Sequence, residues 1–491
     1  MIPYKTSIQL QRKNKQPLYL QLSTQLVEMI KRGVLSPGTR LPGTRSLAAL
    51  LILHRNTVVM AYDELIAQGW IYVEASRGTF VHSDLPIIQQ RQLSETATSF
   101  SEKKESGFYF YAKPHLNRKD AIENPEIVLL DEGVPDNRLA PIEVLAKTYR
   151  NLVSKSYNLK HLSYGSIYGN KDLREALVTY LNETRGLQIT VDNILITRGS
   201  QMGMYLAAQL LLKRDSYVVV GATNYRTMDH TCIQAGAKIL RVGVDQEGLI
   251  VDQIREICRS RSISVVYVTS HHHHPTTVTM SAKRRMDLLV LAQEYQFAIL
   301  EDDYDYDFHY DNSPILPLAS HDINNSVIYT GALCKIVAPA IRIGYLIASK
   351  DFIDAAAQLR AIIDRQGDPI VELAMAKMIT AGAIHRHTQK ALRIYKKRRD
   401  FCCALIKERL AKYFKFRVPE GGMAIWLILD SKYDWDIVTA KSLERGLQFS
   451  DWKRYDAIGA CHNGIRFGFA SHTEEEMIVI IAKIVDVMKL L

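Results

Sequence analysis

Phe297-Ala298-Ile299-Leu300-Glu301-Asp302-Asp303-Tyr304-Asp305 is a short apolar run that ends in a cluster of carboxylates. Such a run reads as a buried strand delivering charge to its C-terminal end, where ligands sit in open α/β sheets. A second apolar run, SVIYTGALCKIVAPAIRIGYLIAS over residues 326–349, carries Lys335 just after its strand and Arg342 seven residues later. A lone lysine among Ala, Leu, Cys, Ile and Val is costly to bury. It either snorkels to solvent or is neutralised as a Schiff base. Taken singly, a lysine after a strand is more often a solvated loop residue.

The combination says more than its members. Asp302 at a strand end can hold a pyridinium nitrogen, Tyr304 can reach a phenolate oxygen, and Arg342 can grip a phosphate. Together with Gly331-Ala332-Leu333-Cys334-Lys335 and Ala338-Pro339-Ala340-Ile341-Arg342-Ile343-Gly344-Tyr345, the frame resembles the fold-type I enzymes that use pyridoxal 5′-phosphate (PLP). More narrowly, it resembles the aminotransferase-like half of the MocR subfamily of GntR regulators.

Composition sets the bounds. At 491 residues the chain is too long for one core. Its six cysteines show neither metal-ligand spacing nor a disulfide framework, and suit a reducing cytoplasm. Nothing argues for secretion or a membrane. The formal net charge is +10, and residues 1–83 hold ten Lys/Arg against four Asp/Glu. A compact basic module invites a polyanion.

Within that module, residues 1–16 read as a polar, frayed arm. Leu18, Leu22, Leu26 and Ile30 repeat every four residues as one helical face. A second helix starts at Thr44-Arg45 and a third at Arg55-Asn56-Thr57, and two short alternating strands flank Arg77. Three helices and a hairpin form a winged helix-turn-helix. PLYLQL, GTRLPGTRSLA, RNTVVMAYDELIAQGW and SRGTFV resemble the GntR family in order and spacing, although LILHRNT replaces its usual Gly-Val-Ser turn. The resemblance implies double-stranded operator DNA as partner, with Thr44, Arg45, Arg55, Asn56, Thr57, Arg77 and Thr79 as contact candidates.

Residues 84–125 lose periodicity and read as a linker. Residues 126–491 then alternate helix and strand patterns, as expected for a mainly parallel α/β sheet covered by helices. The fold-type I resemblance runs through them. It implies Lys335 as the Schiff-base residue and Asp302, Tyr304, Tyr225, Ser200, Gln201 and Arg342 as cofactor contacts. It also implies Tyr164 reaching the phosphate of a neighbouring subunit in a homodimer, and Arg466 pairing a ligand carboxylate. Glu372, Gly382, His385, Tyr395, Arg398 and Arg399 read as structural or interfacial.

The chain departs from the pattern at three points. His271-His272-His273-His274-Pro275 lacks the Asn that precedes the proline in transaminases, Thr277 replaces a turn glycine, and Ala332 and Cys334 replace hydroxyls at the phosphate. The four histidines are not expected to bind metal, because consecutive side chains rarely converge. The expected function is a cytoplasmic, PLP-dependent DNA-binding regulator that senses PLP or an amino-group ligand. The alternative is a catalytic aminotransferase with an attached regulatory module.

Overall fold

Leu22, Leu26 and Ile30 form the buried stripe of the helix Leu18–Lys31 in the computed structural model of the chain. The structure describes residues 4–12, 14–84, 106, 108–111, 113, 116, 127–310, 315–456 and 460–491. Most of the expected linker, 84–125, lies outside them. The chain divides into two compact units, Met1–Ala112 and Lys113–Leu491.

In the first unit, helices Leu18–Lys31, Thr44–Leu51 and Arg55–Ala67 precede the antiparallel strands Ile71–Glu74 and Gly78–Val81. This is the expected winged helix-turn-helix. Leu22, Leu26, Leu47, Val58, Leu65, Ile71 and Val81 share its core. Each such side chain contributes about 1.5–3 kcal/mol on burial.

The N-terminal arm is not frayed throughout, contrary to expectation. Tyr4–Ser7 is helical, and Tyr4 and Ile8 are buried in the same core. Two apolar side chains anchor a segment whose average composition is polar. Where the GntR pattern has its turn, Ile52 adopts the left-handed conformation at φ 53°. A β-branched residue disfavours that conformation. His54 then caps the third helix, its Nδ1 accepting from the Asn56 amide at 3.3 Å.

The second unit is built on a seven-stranded sheet. Its order is Ile194–Thr197, Gly344–Ile347, Val327–Ala332, Ala298–Asp303, Ile263–Val268, Tyr217–Gly221, Lys238–Val242. All neighbours are parallel except Gly344–Ile347, which runs antiparallel to both of its own. Both faces are covered, so central strands read as continuous apolar runs. Val218, Val220 and Leu300 pack with helices Ser200–Leu211 and Lys350–Ile363 on one face. Val219, Val266 and Ile299 pack with helices Val251–Ser260 and Ala282–Tyr295 on the other.

A smaller antiparallel sheet of Phe414–Lys415, Ala424–Leu429 and Gly464–Gly468 shares a core with helices Ala383–Arg409 and Glu474–Met488. Register positions the site. Asp302 pairs with Thr330 and Asp303 with Gly331, so the carboxylates emerge at the sheet edge from which the chain turns to Lys335. Among the described residues no helix is long and apolar enough to cross a membrane.

Candidate cofactor site and DNA-binding module

Two strands and a turn deliver the central charges. Asp302 ends its strand buried, and the Tyr267 hydroxyl donates to its Oδ2 at 3.0 Å. Its Oδ1 is buried with no partner in the structure. Burial, with Asp305 adding repulsion, pushes the Asp302 carboxyl up to about 7. The Lys335 amine donates to the Gly133 carbonyl at 2.7 Å. Burial, and then the Arg466 charge, lower its pKa from the ordinary lysine value.

Tyr304 donates to the His272 carbonyl at 2.9 Å. Burial, with Asp305 next, raises the Tyr304 pKa, so the phenol stays protonated at neutral pH. Tyr225 immediately precedes the helix Arg226–Gln234, and its ring stands edge-on to His274 at 5.2 Å.

At the other end of this site the helix Ser200–Leu211 starts behind Gly199. The amides of its first turn have no intrahelical acceptor and form an anion seat. Arg342 donates from Nη2 to the Arg198 carbonyl at 3.0 Å. A Cβ on Gly199 would stand 2.6 Å from that nitrogen, and Gly199 has φ 76°, so both room and backbone demand glycine. Arg342 is thus placed against the start of the helix that carries Ser200 and Gln201. Cys334 Sγ lies 3.9 Å from Arg342 Nη1, where the MocR pattern has a hydroxyl.

Arg466 is fully buried although its strand is at an edge of the smaller sheet. Its Nε donates to the Glu132 carbonyl at 2.9 Å and its Nη1 to the Pro275 carbonyl at 3.1 Å. Tyr164 is not part of this group. It is 77% exposed, with the Arg365 guanidinium 4.0 Å over its ring.

The four histidines diverge. His271 packs on Tyr306 at 4.4 Å, and His272 Nδ1 lies 2.8 Å from Asp305 Oδ1. His273 Nδ1 bonds the His274 carbonyl at 3.0 Å, while His274 faces Tyr225. Burial and then Arg466 hold His273 down at about 3. Among the described residues no three His, Cys, Asp or Glu side chains are placed to hold a metal.

Three of the residues read as structural or interfacial are bonded across the fold. Glu372 accepts from the Asn170 amide at 2.6 Å, the Tyr395 hydroxyl accepts from the Asp136 amide at 2.9 Å, and Arg398 pairs with Asp136 at 2.9 Å. His385 is exposed.

Sequence reasoning missed Tyr267, Asp305, Glu132, Gly133 and Arg454. Arg454 pairs with Glu132 at 2.5 Å. Asp305 was visible within the carboxylate cluster. The others carry no local pattern and meet the site only through the fold.

In the first unit Arg45, Arg55, Asn56 and Arg77 are exposed, and Thr44, Thr57 and Thr79 are half-buried. Arg45 and Arg55 lie in the first turns of their helices. Arg77 pairs with Glu74 and lies 5.8 Å from the Phe80 ring on the wing. Arg40, not foreseen, lies against Gly78, where an added Cβ would meet its Nε at 3.0 Å.

Residues 125–484 match the family described as aminotransferase class I and II, and residues 18–81 match the bacterial regulatory proteins of the gntR family. The chain is similar over 474 residues to the HTH-type pyridoxine biosynthesis transcriptional regulator PdxR of Corynebacterium glutamicum, at 26% identity across 96% of each protein. It is similar to the probable rhizopine catabolism regulatory protein MocR of Rhizobium meliloti, at 24% identity over 92% of this chain and 90% of that one. Among solved structures, kynurenine aminotransferase of Pyrococcus horikoshii superposes with a TM-score of 0.72. Its identity is 26%, covering 78% of this chain and 97% of that one.

Proposed function

Because the chain belongs to the class I and II aminotransferase family and carries a gntR-family module at its N-terminus, we propose that it is a transcriptional regulator whose aminotransferase-like unit binds PLP and senses PLP or an amine ligand. The observation that carries this is similarity through both units, over at least nine-tenths of their length, to two proteins named as regulators.

The residues present fit PLP. The orphaned Oδ1 of Asp302 can accept a hydrogen bond from a protonated pyridine nitrogen. Tyr225 offers a ring face. The amides opening Ser200–Leu211 and the Arg342 guanidinium can hold a phosphate. Lys335, its amine inside the site, is the residue to carry the group covalently. PLP, when bound, supplies an aldehyde whose lysine link can be exchanged for a ligand amine. Arg466 then orients a ligand carboxylate, and the lowered Lys335 pKa favours the unprotonated amine.

The protein acts in the cytoplasm as a homodimer, with two DNA modules reading two operator half-sites. The ligand acts only through unequal affinity for two arrangements of the dimer.

Two measurements test this. Purified protein with PLP should absorb near the visible edge, and borohydride should fix the pyridoxyl group on Lys335. A Lys335→Ala variant with the same chromophore removes the assignment. Addition of an amino acid and a 2-oxo acid should shift the spectrum without multiple turnover. Sustained turnover would instead make the chain a catalytic aminotransferase, the reading that its likeness to kynurenine aminotransferase favours.

A further inference from the structure

Two arginines of the effector unit converge on one residue. Glu132 gives Arg466 its main-chain carbonyl at 2.9 Å and gives Arg454 its carboxylate at 2.5 Å. The next residue, Gly133, holds the Lys335 amine on its carbonyl at 2.7 Å. Two adjacent residues therefore satisfy three cations.

Arg454 belongs to the wall of the same site. It lies in the turn Trp452–Tyr455, whose Tyr455 carbonyl accepts from the Asn224 amide at 3.3 Å, next to Tyr225. The Tyr455 ring packs on His274 at 5.8 Å, and His274 packs on Tyr225 at 5.2 Å. His274 also keeps a buried Nδ1 with no partner in the structure, available to a ligand.

Arg466 has Nε and Nη1 already bonded to main-chain carbonyls. A carboxylate that binds through the Nε edge, whose single N–H is already taken, must displace the Glu132 carbonyl. Displacing the Glu132 carbonyl moves Glu132 and strips Arg454 of its counterion. A ligand with one carboxylate leaves Arg454 uncompensated, whereas a second carboxylate replaces what Glu132 withdraws. The Arg454 and Glu132 side chains are about a quarter exposed, at 26% and 22%. Solvent therefore reaches both partners, and a ligand carboxylate can exchange for Glu132.

We propose that the ligand of this site is an amino dicarboxylate, with one carboxylate on Arg466 and the second on Arg454, displacing Glu132. This rests on the reading that the unit binds PLP and an amine ligand.

The test titrates PLP-loaded full-length protein with L-aspartate, L-glutamate and L-2-aminoadipate, each against its neutral counterpart L-asparagine, L-glutamine or L-norleucine. Chromophore shift and calorimetry are the readouts. At least one acid should bind on the order of tenfold more tightly than its counterpart, which is about 1.4 kcal/mol. Arg454→Gln should bring that ratio to about one, as expected on loss of a charge-assisted contact. Glu132→Gln, which removes the competing anion, should tighten binding of the acid, and it tests the proposal independently if Arg454→Gln misfolds. Equal binding of acids and neutral counterparts, or an unchanged ratio in Arg454→Gln, overturns the ligand class and leaves the PLP regulator standing. Absence of any chromophore in the unmodified protein overturns both.

Discussion

Asp302 shows how one residue couples the site to stability. Its carboxyl stands at about 7 in the folded chain against an ordinary 3.8, because burial outweighs the hydrogen bond from Tyr267. Between those values the folded state holds a proton that the unfolded state has lost. Stability therefore falls as pH rises through that window and levels off above it. Asp303, buried beside it, is raised in the same direction. In PLP-free protein, Asp302→Asn should flatten part of this fall, by roughly 1–4 kcal/mol between pH 4 and pH 8. Denaturant unfolding of the effector unit at several pH values measures it. An equal slope in both proteins would mean that Asp302 is already solvated when folded.

Elements hold these residues through caps and starts. The helix Glu474–Met488 packs its apolar face on the smaller sheet, and Thr473 opens it with a capping box. The Thr473 side chain accepts from the Glu476 amide at 3.2 Å, and Glu476 accepts from the Thr473 amide at 2.7 Å. Thr473→Ala should cost about 1 kcal/mol of effector-unit stability in denaturant unfolding and leave DNA affinity unchanged.

In the DNA module, the exposed Arg45 and Arg55 start two adjacent helices, and we propose them as DNA contacts. An arginine that reads a base should cost roughly 1–3 kcal/mol when replaced by alanine, and one on a phosphate should mainly flatten the salt dependence. Operator titration of the Arg45→Ala, Arg55→Ala double variant over a range of salt separates the two. Unchanged affinity would take both residues out of the interface.

At the scale of the whole molecule, Tyr164 carries the prediction. It is 77% exposed on its own chain, which fits a residue that completes a neighbour's site. A Lys335→Ala chain mixed with a Tyr164→Phe chain should form heterodimers with one doubly damaged site and one intact site. Half of the sites in those heterodimers should regain normal PLP affinity. Heterodimers without that recovery would place Tyr164 outside the cofactor site.

What the sequence by itself determined is local and periodic. The four-residue stripe of Leu22, Leu26 and Ile30, the apolar strands and the carboxylates ending at Asp303 read directly, because each element's burial is written into its own spacing. Asp302, Tyr225, Ser200, Arg342 and Lys335 are singled out by the family resemblance of the motifs that carry them, and of these Tyr225 and Ser200 stand at helix starts.

Only the tertiary structure decided the rest. Tyr4 and Ile8 escape notice because two core contacts do not alter a polar average. Arg454 and Glu132 are 322 positions apart in sequence. Neither is marked by a motif, and an ion pair between them exists only once the sheet has brought the two segments together. The histidine tract makes the same point in reverse. Four like residues in a row suggest one role, yet backbone geometry sends them in different directions, into a carboxylate, a carbonyl and two tyrosine rings.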